Sequence, residues 1–414
     1  MQSISPANRR TEQLARHAAA LLGFSIPISV ALDNVLLALV AVLWLAGGDF
    51  KRKLADIAAN PVALAALALF GMLAAGLLYG SRYPGDGLRY LGKYADLLFV
   101  PMFVTLFRDA RMRETALRWF CAAMILSFVM AELAASGLLE HSPFLARSAG
   151  HSFRGSITHG MLSAFAALLF ALLALRQPHW PQRLLFGVLA LVAAKNVLAI
   201  GISRTGYLVL ALLALQFAFA VYGRRGLAIV GLLLAISLAT LYGTSETFRE
   251  RVDTVVVEEG NWRSQWPSRE SVTVRLEWYR QSLKVVFDHP ILGVGTGSFP
   301  KVLDETPKDA PVYSRNPHNE YLVIAMQTGL VGLVLLLHLF WRQFSLAPQL
   351  ATPLETHLAR GLVITIAVGC LFNSFLLDHT EGLFYAWFTG LLYGGLKSPP
   401  FPGVPQHPST PDGR

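Results

Sequence analysis

Charge and thiols are both scarce in this chain. Only 15% of its 414 residues are charged and only two are cysteines. So little charge, together with 54% hydrophobic residues and a positive mean hydropathy, excludes a soluble globular domain of ordinary make-up. Cys121 and Cys370 fall in apolar runs at different depths, so neither a disulfide nor a thiol metal site is expected. The run Gly293-Val294-Gly295-Thr296-Gly297 lacks the Gly-Lys-Ser/Thr ending of a nucleotide loop and does not link a strand to a helix. Its glycines suit a tight turn close to other backbone. Glu258-Glu259 has no spaced Asp-x-Asp companion and reads as a solvated acidic turn. Solenoid periods and heptad runs are missing, whereas a tandem or inverted repeat of the transporter kind stays open.

Apolar runs of near-spanning length are what the chain has in abundance. About twelve segments qualify, at roughly 17–31, 33–48, 61–80, 90–107, 115–138, 157–176, 183–202, 204–222, 226–243, 319–341, 358–377 and 380–396. The first two are short and close together, as in a broken hairpin. Ser29-Val30-Ala31 has the small residues of a signal-peptide cleavage site, but the charged leader is long and a second apolar run follows at once. The first segment is therefore read as a span.

Arginine and lysine orient these spans, because short cytoplasmic loops carry the positive excess. Arg9, Arg10 and Arg16 precede the first span, and Lys51, Arg52 and Lys53 follow the second. Arg108, Arg111 and Arg113 follow the fourth, Arg176 and Arg183 flank the loop after the sixth, and Arg224 and Arg225 follow the eighth. Twelve spans with both termini cytoplasmic satisfy every basic loop. Much of the net charge of +9 lies in these loops, so it needs no nucleic-acid partner.

The expected fold is an all-α polytopic membrane protein with one large loop domain of short helices on the outer side. Residues 1–243 hold helices one to nine, 244–317 the loop domain, 318–397 helices ten to twelve, and 398–414 a proline-rich, disordered cytoplasmic tail. Within the loop, Val272, Leu276, Tyr279, Leu283 and Val286 recur at helical spacing over 271–287, and Asp288-His289-Pro290 stops that helix.

The outward ends of the spans collect polar residues, densest in SRNPHNEYL from Ser314 to Leu322, where titratable groups adjoin an apolar helix. Arg204 sits at the turn between the seventh and eighth spans, Arg275 lies on the loop helix, and His318 opens the tenth span. Asp378 and His379 occupy the turn before the last span. Arg154 and His159 start the sixth, and Arg89 with Lys93 starts the fourth. A basic cup of this kind suits a lipid-linked diphosphate, since the planar arginine fork binds phosphates bidentately and stays charged. Each arginine also suits a plain interfacial anchor or ion-pair partner. His318 fits a general base that takes a proton from a sugar hydroxyl, or simply an interfacial histidine. Asn316 or Asn319 fits a cap for the tenth helix, with Glu320 favouring its N-terminus.

Three motifs in order, SRTG at 203–206, RLEW through HPILGVGTGSF from Arg275 to Phe299, and PHNEYL at 317–322, resemble the bacterial O-antigen ligase and polymerase superfamily. The resemblance covers about 190–340 directly and nearly the whole chain through its hydrophobic frame. It implies an inner-membrane glycosyltransferase with a periplasmic site, no cofactor and no metal. The implied donor is an undecaprenyl-diphosphate-linked glycan and the implied acceptor a sugar of the lipid A core. Carried over by motif, Arg204 and Arg275 hold the donor diphosphate and His318 is the base. Asp378 matches the acidic residue before the last span, orienting His318 or balancing the arginines, and Arg154, Arg89 and Asn319 are supporting residues. One displacement would invert the anomeric centre. Within the superfamily the rivals are an O-antigen polymerase and a protein O-oligosaccharyltransferase. From another class comes a secondary transporter of an anionic lipid or sugar, which would hold its arginines near the bilayer midplane.

Overall fold

The computed structural model describes residues 6–80, 84–138, 153–200, 203–244, 249, 272–305 and 316–396. Among these every regular element is helical. The tail 398–414, Arg315, Glu258-Glu259 and, apart from Arg249, residues 245–271 of the loop lie outside the described residues.

Seven helices are long and apolar enough to cross a membrane, or up to eight if the bent pair α2 (Val30–Ala46) and α3 (Phe50–Ala58) is one span. Breaks account for much of the difference from about twelve apolar segments. The segment 90–107 is divided between α6 (Pro84–Lys93) and α7 (Asp96–Leu106). Conversely, α11 (Arg204–Thr244) holds two segments, and its 41 residues are far more than the roughly 20 that one crossing needs. It bends at Gly223, where φ is 59° and ψ is −145°. Beyond the bend Gly226 lies against the Ala218 carbonyl and Gly231 against the Leu215 side chain, so the chain doubles back as a hairpin.

The centre of the bundle is α16 (His379–Tyr393), whose residues from Thr380 to Tyr393 are all buried. A helix that is apolar all round belongs inside. Its Phe384, Trp387 and Phe388 pack on Phe120 of α8 (Ala110–Ala135), Phe165 of α9 (Ser156–Arg176) and Phe107. Trp387 Nε1 donates to the Ala19 carbonyl of α1 (Pro6–Ile28) at 2.7 Å. Because this helix is central, the residue that precedes it, Asp378, stands in the middle of one end of the bundle.

That end is built on broken helices. α14 (Glu320–Leu346) is interrupted at Gly329, with φ 63° and ψ −160°, and α4 (Pro61–Ala75) gives way to α5 (Leu77–Gly80) at Gly76. The glycine segment after the loop helix α12 (Val272–Asp288) threads between the two breaks. Val294 N donates to the Met326 carbonyl at 2.8 Å, Gly295 N to Gln327 at 2.9 Å, and Thr296 N to Gly76 at 3.2 Å. In return Leu330 N donates to Pro290 at 2.8 Å. Backbone groups freed by a helix break away from water must find such partners, and here the loop supplies them.

Candidate active site

His318 is held in an unusual conformation, with φ at +52°. The left-handed region is uncommon outside glycine and costs of order 1–3 kcal/mol, so it persists only where the surroundings enforce it. Asn316 does so: its Oδ1 accepts from His318 N and from Ser374 Oγ, both at 2.9 Å. One residue later Asn319 caps α14, accepting from Leu322 N at 3.1 Å while its Nδ2 donates to the Leu371 carbonyl at 3.1 Å. Asn319 thus fixes the start of the helix and the approach of α15 (Pro353–Phe372) at once.

The imidazole of His318 lies 5.6 Å from the Trp278 ring, and its Nδ1 is 3.1 Å from Asn373 Oδ1. Asn373 Nδ2 in turn donates to Asp378 Oδ2 at 3.4 Å. A carboxylate only accepts, so Asp378 turns the amide nitrogen toward itself and the amide oxygen toward His318. Nδ1 must then carry the proton, which leaves Nε2 with a free lone pair. Burial pushes the Asp378 carboxyl above the usual aspartate range, opposed by the nearby Lys93 and His318.

Glu320 secures the turn that carries Asn373 and Asp378. It is fully buried, accepts from Tyr94 OH at 2.7 Å and takes Leu376 N at 3.1 Å. Tyr94 OH accepts from Gln327 Nε2 at 3.3 Å, and Gln327 Oε1 takes Gly297 N at 3.0 Å. A continuous chain of hydrogen bonds therefore joins the glycine segment to the Asp378 turn.

Arg275, half-buried on α12, donates to the Phe372 carbonyl at 3.4 Å, next to Asn373, and Tyr279 OH one turn on donates to Leu371 at 2.9 Å. Arg204 is exposed as the first residue of α11. Ser203 and Gly206 beside it pack on Gly160 in the first turns of α9, at the same end of the bundle. Neither arginine forms an ion pair among the described residues. Arg89 is exposed on α6, one turn before Lys93.

Arg154 differs from the expectation of an open basic cup. It is buried, pairs with Asp33 at 2.7 Å and donates to the Ile26 carbonyl at 3.0 Å, clamping the junction of α1 and α2. Its charge is spent on a buried acid.

Residues 189–337 match a family model described as O-antigen ligase. That match supports membership of the O-antigen ligase superfamily. The matched segment contains Arg204, Arg275, His318 and both strained glycine elements, 293–297 and Gly329, while Asn373 and Asp378 lie beyond it. Comparison with curated proteins found no match. Membership of the O-antigen ligase superfamily supports glycosyl transfer of the ligase and polymerase type. Two members of the His318 environment escaped the sequence reading, Asn373 and Trp278. The only signal for Asn373 is an Asn-Ser pair inside an apolar run, five residues before Asp378.

Proposed function

We propose that the chain is an O-antigen ligase of the bacterial inner membrane, transferring glycan from undecaprenyl diphosphate to a sugar of the lipid A core. The observation that carries the reading is the line Asp378, Asn373, His318, with an imidazole fixed at Nδ1, at the same end of the bundle as two arginines that have no acidic partner among the described residues. His318 Nε2 takes the acceptor hydroxyl proton as the oxygen attacks the anomeric carbon. The bond from that carbon to the diphosphate breaks, and Arg204 and Arg275 take up the charge on the departing lipid diphosphate. A diphosphate leaves readily, so this displacement inverts the anomeric centre and calls for no metal.

Twelve spans, both termini in the cytoplasm and a periplasmic site follow from the basic loops at 51–53, 108–113, 176–183 and 224–225, which all fall at the end opposite His318. Buried arginines at that opposite end are neutralised, as in the Arg113 to Glu355 pair at 2.7 Å.

Reconstitution in proteoliposomes tests the reading. Product only when lipid A core accompanies the donor lipid supports the ligase. Lengthened glycan on the donor lipid alone would make the chain a polymerase instead.

Acidification should extinguish transfer, because it protonates Asp378. The raised position of Asp378 means that its carboxylate is lost at a higher pH than that of a free aspartate. In Asp378→Asn, kcat should fall across the whole pH range, about tenfold or more, since no negative charge then supports the imidazolium. A rate–pH profile superimposable on that of the wild type would remove Asp378 from this role.

A further inference from the structure

A cleft of about 430 Å³ opens beside the Asp378 turn. Its lining includes Ser156 and Thr158 from the start of α9, Asn373 and Asp378 from the turn, and His379 and Glu381 from α16. The volume is within the roughly 300–1,000 Å³ typical of small-molecule sites. Thr158 donates its hydroxyl to Glu381 Oε1, which ties the two walls together. His379 Nε2 is buried and has no hydrogen-bond partner among the described residues. A buried polar atom left unpaired costs free energy unless a ligand or water completes it.

The geometry points to an acceptor-sugar subsite in this cleft, an inference that rests on the ligase reading. The chemistry of the lining selects a polyhydroxylated ring over a phosphate. Two carboxyl groups, an amide, three hydroxyls and an imidazole offer both acceptors and donors, as the vicinal hydroxyls of a pyranose require. Asp378 disfavours the diphosphate, which Arg204 and Arg275, without ion-pair partners among the described residues, attract. Sugar hydroxyls belong to donor and acceptor alike, and position assigns the cleft to the acceptor. Asn373 lines it and also holds the imidazole that must receive the acceptor proton.

Two variants of the full chain test this in proteoliposomes, with KM measured separately for lipid A core and for the undecaprenyl-diphosphate glycan. Ser156→Trp, which fills the cleft, should raise the acceptor KM about tenfold or more. Thr158→Val should raise it about three- to tenfold, the worth of a hydrogen bond. The donor KM should not change. A rise in donor KM alone, or no change in either KM, overturns the assignment. Titration of the solubilised wild type and Ser156→Trp with delipidated core oligosaccharide examines the cleft without any transfer. Binding that is lost in the variant supports the subsite, and equal binding overturns it. Oligosaccharide binding by a wild type that transfers nothing to lipid A core would sink the ligase reading alone.

Discussion

Replacing His318 by alanine lowers the transfer rate by about 10²–10⁴, the usual worth of a positioned general base, and leaves the donor KM nearly unchanged. The residue occupies a left-handed backbone position, so alanine also carries a conformational cost of about 1–2 kcal/mol there. Asparagine tolerates that region much better and has no basic nitrogen. His318→Asn should therefore stay folded, with its melting midpoint near that of the wild type, and lose the same fraction of activity. Initial rates with saturating donor and acceptor decide the matter. Either variant within tenfold of wild type would show that another group takes the proton.

Gly295→Ala should prevent the bundle from assembling. Gly295 has φ +87°, and a Cβ there would run into the Gly80 Cα and come within 2.8 Å of the Gly76 carbonyl oxygen. Neither neighbour is a side chain that can swing away. Backbone would have to move, pulling the glycine segment off Met326 and Gln327 and leaving their carbonyls unpaired in the break of α14. Strain and orphaned backbone together exceed about 4 kcal/mol, the range of exceptional single substitutions. Gly187→Ala provides the control, because a Cβ at Gly187 meets nothing within 4 Å and alanine favours the helix. Size-exclusion profiles of the two purified variants should differ sharply. A monodisperse, wild-type yield of Gly295→Ala would mean that the threaded segment does not brace the fold.

Local signals made the loop helix legible: periodic apolar residues, then Asp288-His289-Pro290, bracket the observed Val272–Asp288 closely. The glycine run was readable as backbone meant to lie against other backbone. Its partners were not, because 319–341 reads as one apolar stretch and the break at Gly329 is stabilised only by Pro290 and Ile291, far away in the chain. Hydropathy cannot register a partner of that kind. Arg204, Arg275 and His318 were visible because charge beside lipid is costly and therefore conspicuous. Asn373 is uncharged and short, and only the fold brings it to the imidazole. Arg154 is the converse case. Its place at a helix start suggested an open cup, whereas the acid that neutralises it lies in another helix, at Asp33. Glu320 likewise suggested a helix-dipole partner, and the structure uses it as the anchor of the turn before α16.

Arg113 at one end of the bundle and Arg204 and Arg275 at the other lie under different dielectric conditions, and ionic strength should therefore pull their contributions apart. At the far end Arg113 and Glu355 are nearly sealed from solvent, with side-chain exposures of 5% and 8%, so added salt reaches them poorly. At the end that carries His318, Arg204 is exposed and Arg275 half-buried, and the range of their attraction shrinks from about 10 Å at 0.1 M salt to about 3 Å at 1 M. Concentrated salt would then act as a reversible inhibitor that weakens capture of an anionic lipid head while the bundle keeps its melting temperature.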